Sequence, residues 1–351
     1  MEKLKVGSLF AGVGGICLGF KQAEQYDIVW ANEIDKFACK TYRQNFKHTL
    51  IEGDICKVLN PTWLKDKELE YYTNMNQIIL SQKIDVLNGG FPCQAFSIAG
   101  ERRGFNDERG NLFFAIINLI QKLKHGKPRY LLLENVKNLQ KHNSGNTYKI
   151  IKSKLEQEGY IVTETILNTM DYTNLPQNRE RIYIMGFLNI NDYIKFNNFK
   201  SILDSKKIKT SRIEDVKAVI DYNIKDEKYF YTKEKYPLYY NDKINIDKQV
   251  KEKYQFYQLR RSMYIRHNKS DVCPTLTANM GTGGHNVPLI RVDNGVRKIT
   301  PVEAFKLQGF PVGNGYNLPS IADSHLYKQA GNAVSVPIIK MIAEELIYAG
   351  N

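Results

Sequence analysis

The stretch that most constrains the fold is Ile84-Asp85-Val86-Leu87 running into Gly89-Gly90-Phe91-Pro92-Cys93-Gln94. The apolar run reads as a buried strand. Two glycines then let the backbone turn tightly and leave room for a ligand. Pro92 fixes its own φ and biases Phe91 towards an extended conformation. Cys93 is thereby presented at the carboxyl end of a strand, the edge at which open α/β sheets bind ligands. Taken alone, it reads equally as a small buried thiol beside a turn, since free cysteines are among the most buried residues.

Upstream, Lys5-Val6-Gly7-Ser8-Leu9-Phe10 reads as a first strand, followed by Ala11-Gly12-Val13-Gly14-Gly15 and a helical pattern of Ile16, Leu18 and Phe20. A glycine-rich turn between strand and helix brings backbone N–H groups up to a ligand. It is not the dinucleotide fingerprint, because after Gly12 and Gly14 the third glycine falls on Cys17, which argues against a dehydrogenase. Ile28 to Glu33 forms a second strand ending in an acid, 18 residues beyond Gly15, close to the offset of about 20 at which a carboxylate holds ribose hydroxyls. A third strand, Thr49-Leu50-Ile51, runs to Gly53-Asp54-Ile55. Asp54 suits an adenine amino group, and it reads equally as a helix N-cap. A glycine loop with two strand-end acids points to a nucleoside-bearing cofactor without a pyrophosphate.

Residues 65–83 form a charge-rich helical connector. The loop over 94–105 is long, and loops of that length are usually functional or disordered. After an apolar helix over 112–123 comes a fifth strand, Tyr130-Leu131-Leu132-Leu133, stopping at Glu134-Asn135-Val136. Glu134 is expected beside Cys93 and partly desolvated. A thiol and a protonatable carboxylate at neighbouring strand ends are what covalent activation of an electron-poor ring requires.

A chain of 351 residues has room for two domains. It holds no apolar run of about 18 residues, and its first residues lack a signal-peptide pattern. Five scattered cysteines with no CxxC pair fit neither a zinc site nor a disulfide framework, so a reducing cytoplasm is expected. The net charge of +13 points to a polyanionic partner, or simply to solubility.

These blocks, in this order, resemble the cytosine-C5 DNA methyltransferases. Phe10 to Gly15 is similar to the family's S-adenosylmethionine loop, Gly89 to Gln94 to its Pro-Cys nucleophile motif, and Glu134-Asn135-Val136 to its Glu-Asn-Val block. Gln177-Asn178-Arg179-Glu180-Arg181 resembles its Gln-x-Arg-x-Arg block. Thr300-Pro301 with Leu307 to Pro311, and Gln329 to Val334, resemble its last two blocks.

The resemblance implies an α/β chain: a doubly wound S-adenosylmethionine-dependent methyltransferase fold with a smaller, mostly β or irregular target-recognition domain. The expected boundaries are 1–187 for the catalytic and cofactor domain, 188–321 for target recognition, and 322–351 for a segment returning to the first. It implies catalysis by Cys93, Glu134, Arg179 and Arg181. It implies cofactor contacts from Phe10, Gly12, Gly14, Gly15, Glu33, Asp54, Ile55 and Asn332. S-adenosyl-L-methionine would be converted to S-adenosyl-L-homocysteine, with no metal. Ile34 and Ala333 depart from the aromatic and the serine common at those positions. The substrate would be double-stranded DNA, the target cytosine being flipped out of the duplex. A bacterial, nucleoid-associated cytoplasmic monomer is expected, with a cognate restriction endonuclease encoded nearby.

From Leu188 the composition shifts. Residues 188–261 carry 17 Lys/Arg against 11 Asp/Glu, interleaved with Tyr229-Phe230-Tyr231, Tyr239-Tyr240 and Phe256-Tyr257. That pattern suits phosphate contacts, or a solvated face over a tyrosine-rich core. By resemblance, DNA contacts are expected from Gln94, Ser97, Arg260, Arg261, Arg266, Asn268, Lys269 and Thr275. Two alternatives keep the fold: a tRNA cytosine methyltransferase, and a DNA-binding protein on an inactive scaffold.

Overall fold

Strands rich in branched and aromatic residues settle where both faces can be covered, and the first half of the chain supplies a series of them. The computed structural model describes residues 2–91, 112–199, 203, 205, 212–260, 264–268, 272–282 and 286–350. In chain order the strands are β1 Leu4–Leu9, β2 Tyr26–Glu33, β3 Thr49–Glu52, β4 Val86–Gly90, β5 Tyr130–Val136, β6 Ile161–Asn168, β7 Gln177–Asn178, β8 Glu180–Phe187, β9 Tyr257–Arg260, β10 Tyr264–His267, β11 Cys273–Pro274, β12 Leu289–Val292 and β13 Gly295–Lys298. No described helix is long and apolar enough to cross a membrane.

Two compact units result. One comprises Met1–Leu167, Glu180–Ser205 and Pro337–Asn351, the other Asn168–Arg179 and Lys206–Val336. The chain passes between them at 205/206 and 336/337 rather than at the expected 187/188 and 321/322, and 168–179 joins the second unit. The helix Asp323–Asn332 stays in that unit because Gly331 lies flat on the Thr277–Ala278 peptide; a Cβ there would come within 2.2 Å of Thr277 C.

The first unit is built on a seven-stranded sheet of order β3-β2-β1-β4-β5-β8-β6. β1 to β5 pair in parallel, and β8 runs antiparallel to β5. The chain moves outward through β1, β2 and β3, then returns to lay β4 against the free side of β1. Strand order therefore reverses between β1 and β4, the position at which doubly wound sheets bind ligands. Tyr130 to Leu133 are fully buried, as their unbroken apolar run requires. The helices Leu112–Lys122 and Asn146–Gln157 share one core with β4, β5 and β8 through Phe113, Ile116, Ile151, Leu155, Leu87, Leu131 and Ile182. The C-terminal helix Val336–Gly350 buries Ile338, Ile339 and Ile342 completely and lies against Gly19.

The second unit has a four-stranded antiparallel sheet of order β10-β9-β12-β13 and the small β11-β7 pair. Its core joins Ile246, Val250, Leu259, Leu289 and Val296 to Tyr231 and Tyr257. Tyr229, Phe230, Tyr231 and Phe256 are all buried. The aromatic interleaving thus belongs to a tyrosine-rich core, not to a DNA-facing surface.

A buried ion pair closes this unit. Arg297 and Glu303 are fully buried and bond through Nη2–Oε1 at 2.6 Å and Nη1–Oε2 at 2.8 Å. Glu303 also completes a capping box with Thr300 at the start of the helix Pro301–Lys306. Removing one partner of such a pair strands a buried charge and costs about 3–5 kcal/mol. Glu303→Ala should lower the unfolding free energy by that amount in urea titrations; a loss within the error of the extrapolation would count against the pair's structural role.

Candidate active site

The site begins where β1 and β4 end side by side, with Leu9 paired to Gly89. A Cβ at Gly89 would come 3.0 Å from the Leu9 carbonyl oxygen, so glycine permits the close approach. Beyond Leu9 the chain turns left-handed at Phe10 (φ 54), Gly12 (φ 56) and Gly14 (φ 84). Phe10 is not a glycine, and a bulky residue held there is strained, as residues at ligand sites often are. Gly14 rests on the rings of Phe46 and Tyr42, where a Cβ would approach Phe46 Cε2 to 2.2 Å. Above Gly12 the space is open, with no heavy atom within 4 Å of a Cβ built there. The helix Gly15–Gln22 starts at Gly14 without a side-chain cap.

Glu33 ends β2 and is 8% exposed. Its Oε2 accepts from Gly12 N at 2.7 Å, and Oε1 accepts from Ile34 N at 2.9 Å and Asp35 N at 2.7 Å. A carboxylate has about four acceptor positions, so three backbone donors fix it and leave one for a ligand. Asn32, which the sequence reading passed over, donates Nδ2 to the carbonyls of Ile51 and Gly53, both at 3.0 Å. It ties the ends of β2 and β3 together and sets Glu33 beside Asp54. A polar residue one place before a strand-end acid was the available signal. Asp54 serves as the N-cap of the helix Ile55–Leu59, its Oδ1 accepting from Cys56 N at 2.8 Å. Ile55 is buried and Ile34 is 65% exposed, giving apolar surface near the two acids. The open space over Gly12, the tethered Glu33 carboxylate and this apolar surface fit a nucleoside.

On the other side of β4, Glu134 of β5 pairs with Gly90, whose missing side chain leaves Glu134 Oε2 clear: a Cβ would stand 3.4 Å away. Glu134 is 9% exposed. Arg181 of β8, diagonal to it across the antiparallel ladder, places Nε 3.1 Å from Oε1. The approach is off-axis, so the pair is held by charge and buried Oε1 has no aligned hydrogen bond. Asn135 donates Nδ2 to the Phe91 carbonyl at 2.8 Å, anchoring the backbone where the Pro-Cys segment leaves the sheet. Cys93, Gln94 and Ser97 lie outside the described residues, as do Arg261 and Lys269.

Arg179 is not brought to Glu134. It is 2% exposed, and its guanidinium donates to the carbonyls of Leu276 at 2.9 Å, Ala333 at 2.6 Å and Gly331 at 3.4 Å. Asn332, between two of those carbonyls, has an exposed side chain. Asn268, expected on the DNA, is instead buried, with Nδ2 on the Val272 carbonyl; its amide holds the turn between β10 and β11. Thr275 is half-buried and donates Oγ1 to the Asn178 carbonyl at 2.7 Å. Arg260 and Arg266 are exposed on one face of the β9–β10 ribbon, with Tyr264 opposite Arg260 and Gln258 opposite Arg266.

Below the glycine loop, Tyr42 Oη lies 2.6 Å from His48 Nε2 and 3.1 Å from Cys17 Sγ. Burial, with the charge of Lys21 adding to it, pushes His48 from its ordinary 6.5 down to about 4. Between those values the unfolded chain binds a proton that the folded chain refuses, so stability falls as pH drops through that window. His48→Gln should flatten the decline in melting temperature between pH 6.5 and 4; parallel profiles for variant and wild type would show that another group titrates there.

A family model described as C-5 cytosine-specific DNA methylase matches residues 4–348. The chain is 46% identical over 344 residues to the type II methyltransferase M.Bsp6I of Bacillus sp. (strain RFL6), covering 98% of each. It is 38% identical over 351 residues to the type II methyltransferase M.HaeII of Haemophilus aegyptius, covering 100% of this chain and 95% of that one. Among solved structures it matches S. pombe Dnmt2 with a TM-score of 0.64 at 19% identity, covering 99% of this chain and 100% of that one, a likeness of fold. With the sheet-edge geometry above, the chain belongs to the C-5 cytosine-specific DNA methylase family and is a DNA cytosine-C5 methyltransferase.

Proposed function

We infer that the protein methylates C5 of a cytosine flipped out of a specific short duplex sequence, through a covalent adduct between Cys93 and C6, as the modification enzyme of a restriction–modification system. The observation that carries this is the pairing of Gly90 with Glu134 at the switch-point edge, two peptide units beyond which the chain reaches Pro92 and three beyond which it reaches Cys93. The relatives' names supply the restriction–modification setting.

Cytosine C5 is too weak a nucleophile to take a methyl group unaided. The Cys93 thiolate adds to C6, and the electron pair displaced through the ring is met at N3 by a proton held on Glu134. Arg181 keeps that carboxyl aimed while its buried Oε1 has no competing hydrogen bond. The addition makes C5 nucleophilic. S-adenosylmethionine, when bound, supplies an electrophilic methyl group on a sulfonium and leaves as S-adenosylhomocysteine. Loss of the C5 proton to a base and elimination of the Cys93 thiolate then restore the ring. Glu33 and Asp54 would hold the ribose and adenine of that cofactor, Phe10 and Ile55 its ring faces, Gly12, Gly14 and Gly15 its close approach, and Asn332 its methionine end. The target atom is inaccessible within a duplex, so the base must leave the stack. The enzyme acts as a monomer on double-stranded DNA, beside a separately encoded endonuclease.

Arg260 and Arg266 support a DNA-reading ribbon. The other described arginines of that unit are engaged: Arg212 with Asp215, Arg291 with Asp247, Arg297 with Glu303, and Arg179 on carbonyls. Arg260 and Arg266 have no hydrogen-bond or ion-pair partner among the described residues. Two-stranded ribbons fit the major groove, where arginine reads guanine.

Cys93→Ser should abolish methylation of plasmid DNA in bisulfite sequencing while leaving cofactor binding near wild type; lost cofactor binding would make Cys93 structural. Glu134→Gln should slow methyl transfer by about 10²–10⁴-fold, and wild-type rates would remove its assigned role. Methyl transfer into tRNA but not plasmid DNA would overturn the DNA assignment. Arg260→Ala or Arg266→Ala should cost about 1–3 kcal/mol of base discrimination, seen as methylation at near-cognate sites. Uniformly weaker binding to all sequences would make them phosphate contacts instead.

A further inference from the structure

In the second unit three long polar side chains form a buried clasp. Gln177 and Gln308 are fully buried and Arg179 is 2% exposed. The main chain of Leu276 is gripped on both sides: its N–H donates to Gln177 Oε1 at 3.3 Å, and its carbonyl accepts from Arg179 Nη1 at 2.9 Å. The same two side chains reach onward. Gln177 Nε2 donates to the Leu307 carbonyl at 2.8 Å and to Gln308 Oε1 at 3.2 Å. Arg179 Nη2 donates to the carbonyls of Ala333 and Gly331, either side of Asn332. Gln308 Nε2 closes the ring on the Ala330 carbonyl at 2.7 Å. Gly331 meanwhile lies directly on the Thr277–Ala278 peptide.

Every bond in this set goes from a side chain to main chain or to another clasp member, so none depends on which residue is being held. The clasp fixes the register of 275–278 against 330–333. Arginine suits its position because a planar fork can hold carbonyls in several directions at once, which a lysine ammonium on a flexible stem cannot. An incompletely satisfied buried network is worse than none, so the two segments move together or not at all.

We propose that Gln177, Arg179 and Gln308 are positioning residues that lock the Thr275–Leu276 segment to the turn carrying Asn332, so that DNA binding and cofactor binding are energetically coupled through the clasp. This rests on the assignment of DNA to the 260–285 region and of cofactor to Asn332. A coupling of this kind is reciprocal, and typical values change affinity by about 5- to 150-fold. It separates the two arginines of the block: Arg181 attends the reacting carboxylate, whereas Arg179 acts only through the main chain it holds.

The test is the dissociation constant of S-adenosylhomocysteine, by equilibrium dialysis, with and without a saturating duplex carrying the site mapped by bisulfite sequencing. Wild type should bind the cofactor product about 5-fold or more tightly with DNA present. In Arg179→Lys that ratio should collapse towards one, while affinity for the cofactor product alone and the circular dichroism spectrum stay near wild type. A merely structural role would lower both affinities together and leave the ratio intact. If Arg179→Lys does not fold, Gln308→Met, which keeps volume and removes only the Ala330 and Gln177 bonds, carries the same test. A retained ratio in the folded variant, or a wild-type ratio near one with both ligands bound, overturns the coupling. A wild-type chain that bound neither ligand would overturn the function beneath it as well.

Discussion

The approach of β1 to β4 is the constraint on which the first unit depends. Two parallel strands from distant parts of the chain meet with Leu9 opposite Gly89, and neither residue leaves room for a side chain larger than the one present. Because the strands are parallel, both end at the same edge. The glycine loop and the Pro-Cys segment therefore leave the sheet from adjacent positions, although some 80 residues separate them in sequence. The next pairings carry the logic outward on both sides: β2 and β3 bring Glu33 and Asp54 to that edge, and β5 brings Glu134. Each functional group needs only to be the first polar residue after an apolar strand.

That rule explains what could be read from the sequence. Strand ends are marked by an apolar run that stops, and a carboxylate or glycine at the stop has one place to go. The positions of Glu33, Asp54 and Glu134 followed from this, as did the ligand edge itself. Asp54 was open to two readings, and the N-cap bond to Cys56 is made; a carboxylate capping a helix still has its other oxygen for a ligand. β6 was missed because only one of its faces is well buried, so its residues alternate and lack the continuous apolar run that marks β5.

What could not be read was the direction in which long polar side chains point. Asn268 and Arg266 look alike in sequence: both are polar, close together and near a basic cluster. One is buried on a carbonyl and the other stands in solvent, and the difference lies in strand pairing, which places Arg266 opposite Gln258 on the outer face. The tyrosines of 229–231 carried the same ambiguity. A tyrosine-rich run can stack on bases or fill a core, and here it packs with Ile246, Leu259 and Val296.

The two arginines of the Gln-x-Arg-x-Arg block show why alternation alone misleads. Two residues apart on one continuous strand, Arg179 and Arg181 would point to the same face. The strand is not continuous: β7 ends at Asn178, β8 begins at Glu180, and the chain passes from the second unit to the first between Arg179 and Glu180. Each arginine consequently serves the unit it belongs to. Arg181 lies on the ladder beside Glu134 and contributes charge to a carboxylate. Arg179 lies among carbonyls and contributes only donors. Five residues of sequence thus divide between chemistry and architecture at a chain crossing, and substituting either arginine tests a different property of the enzyme.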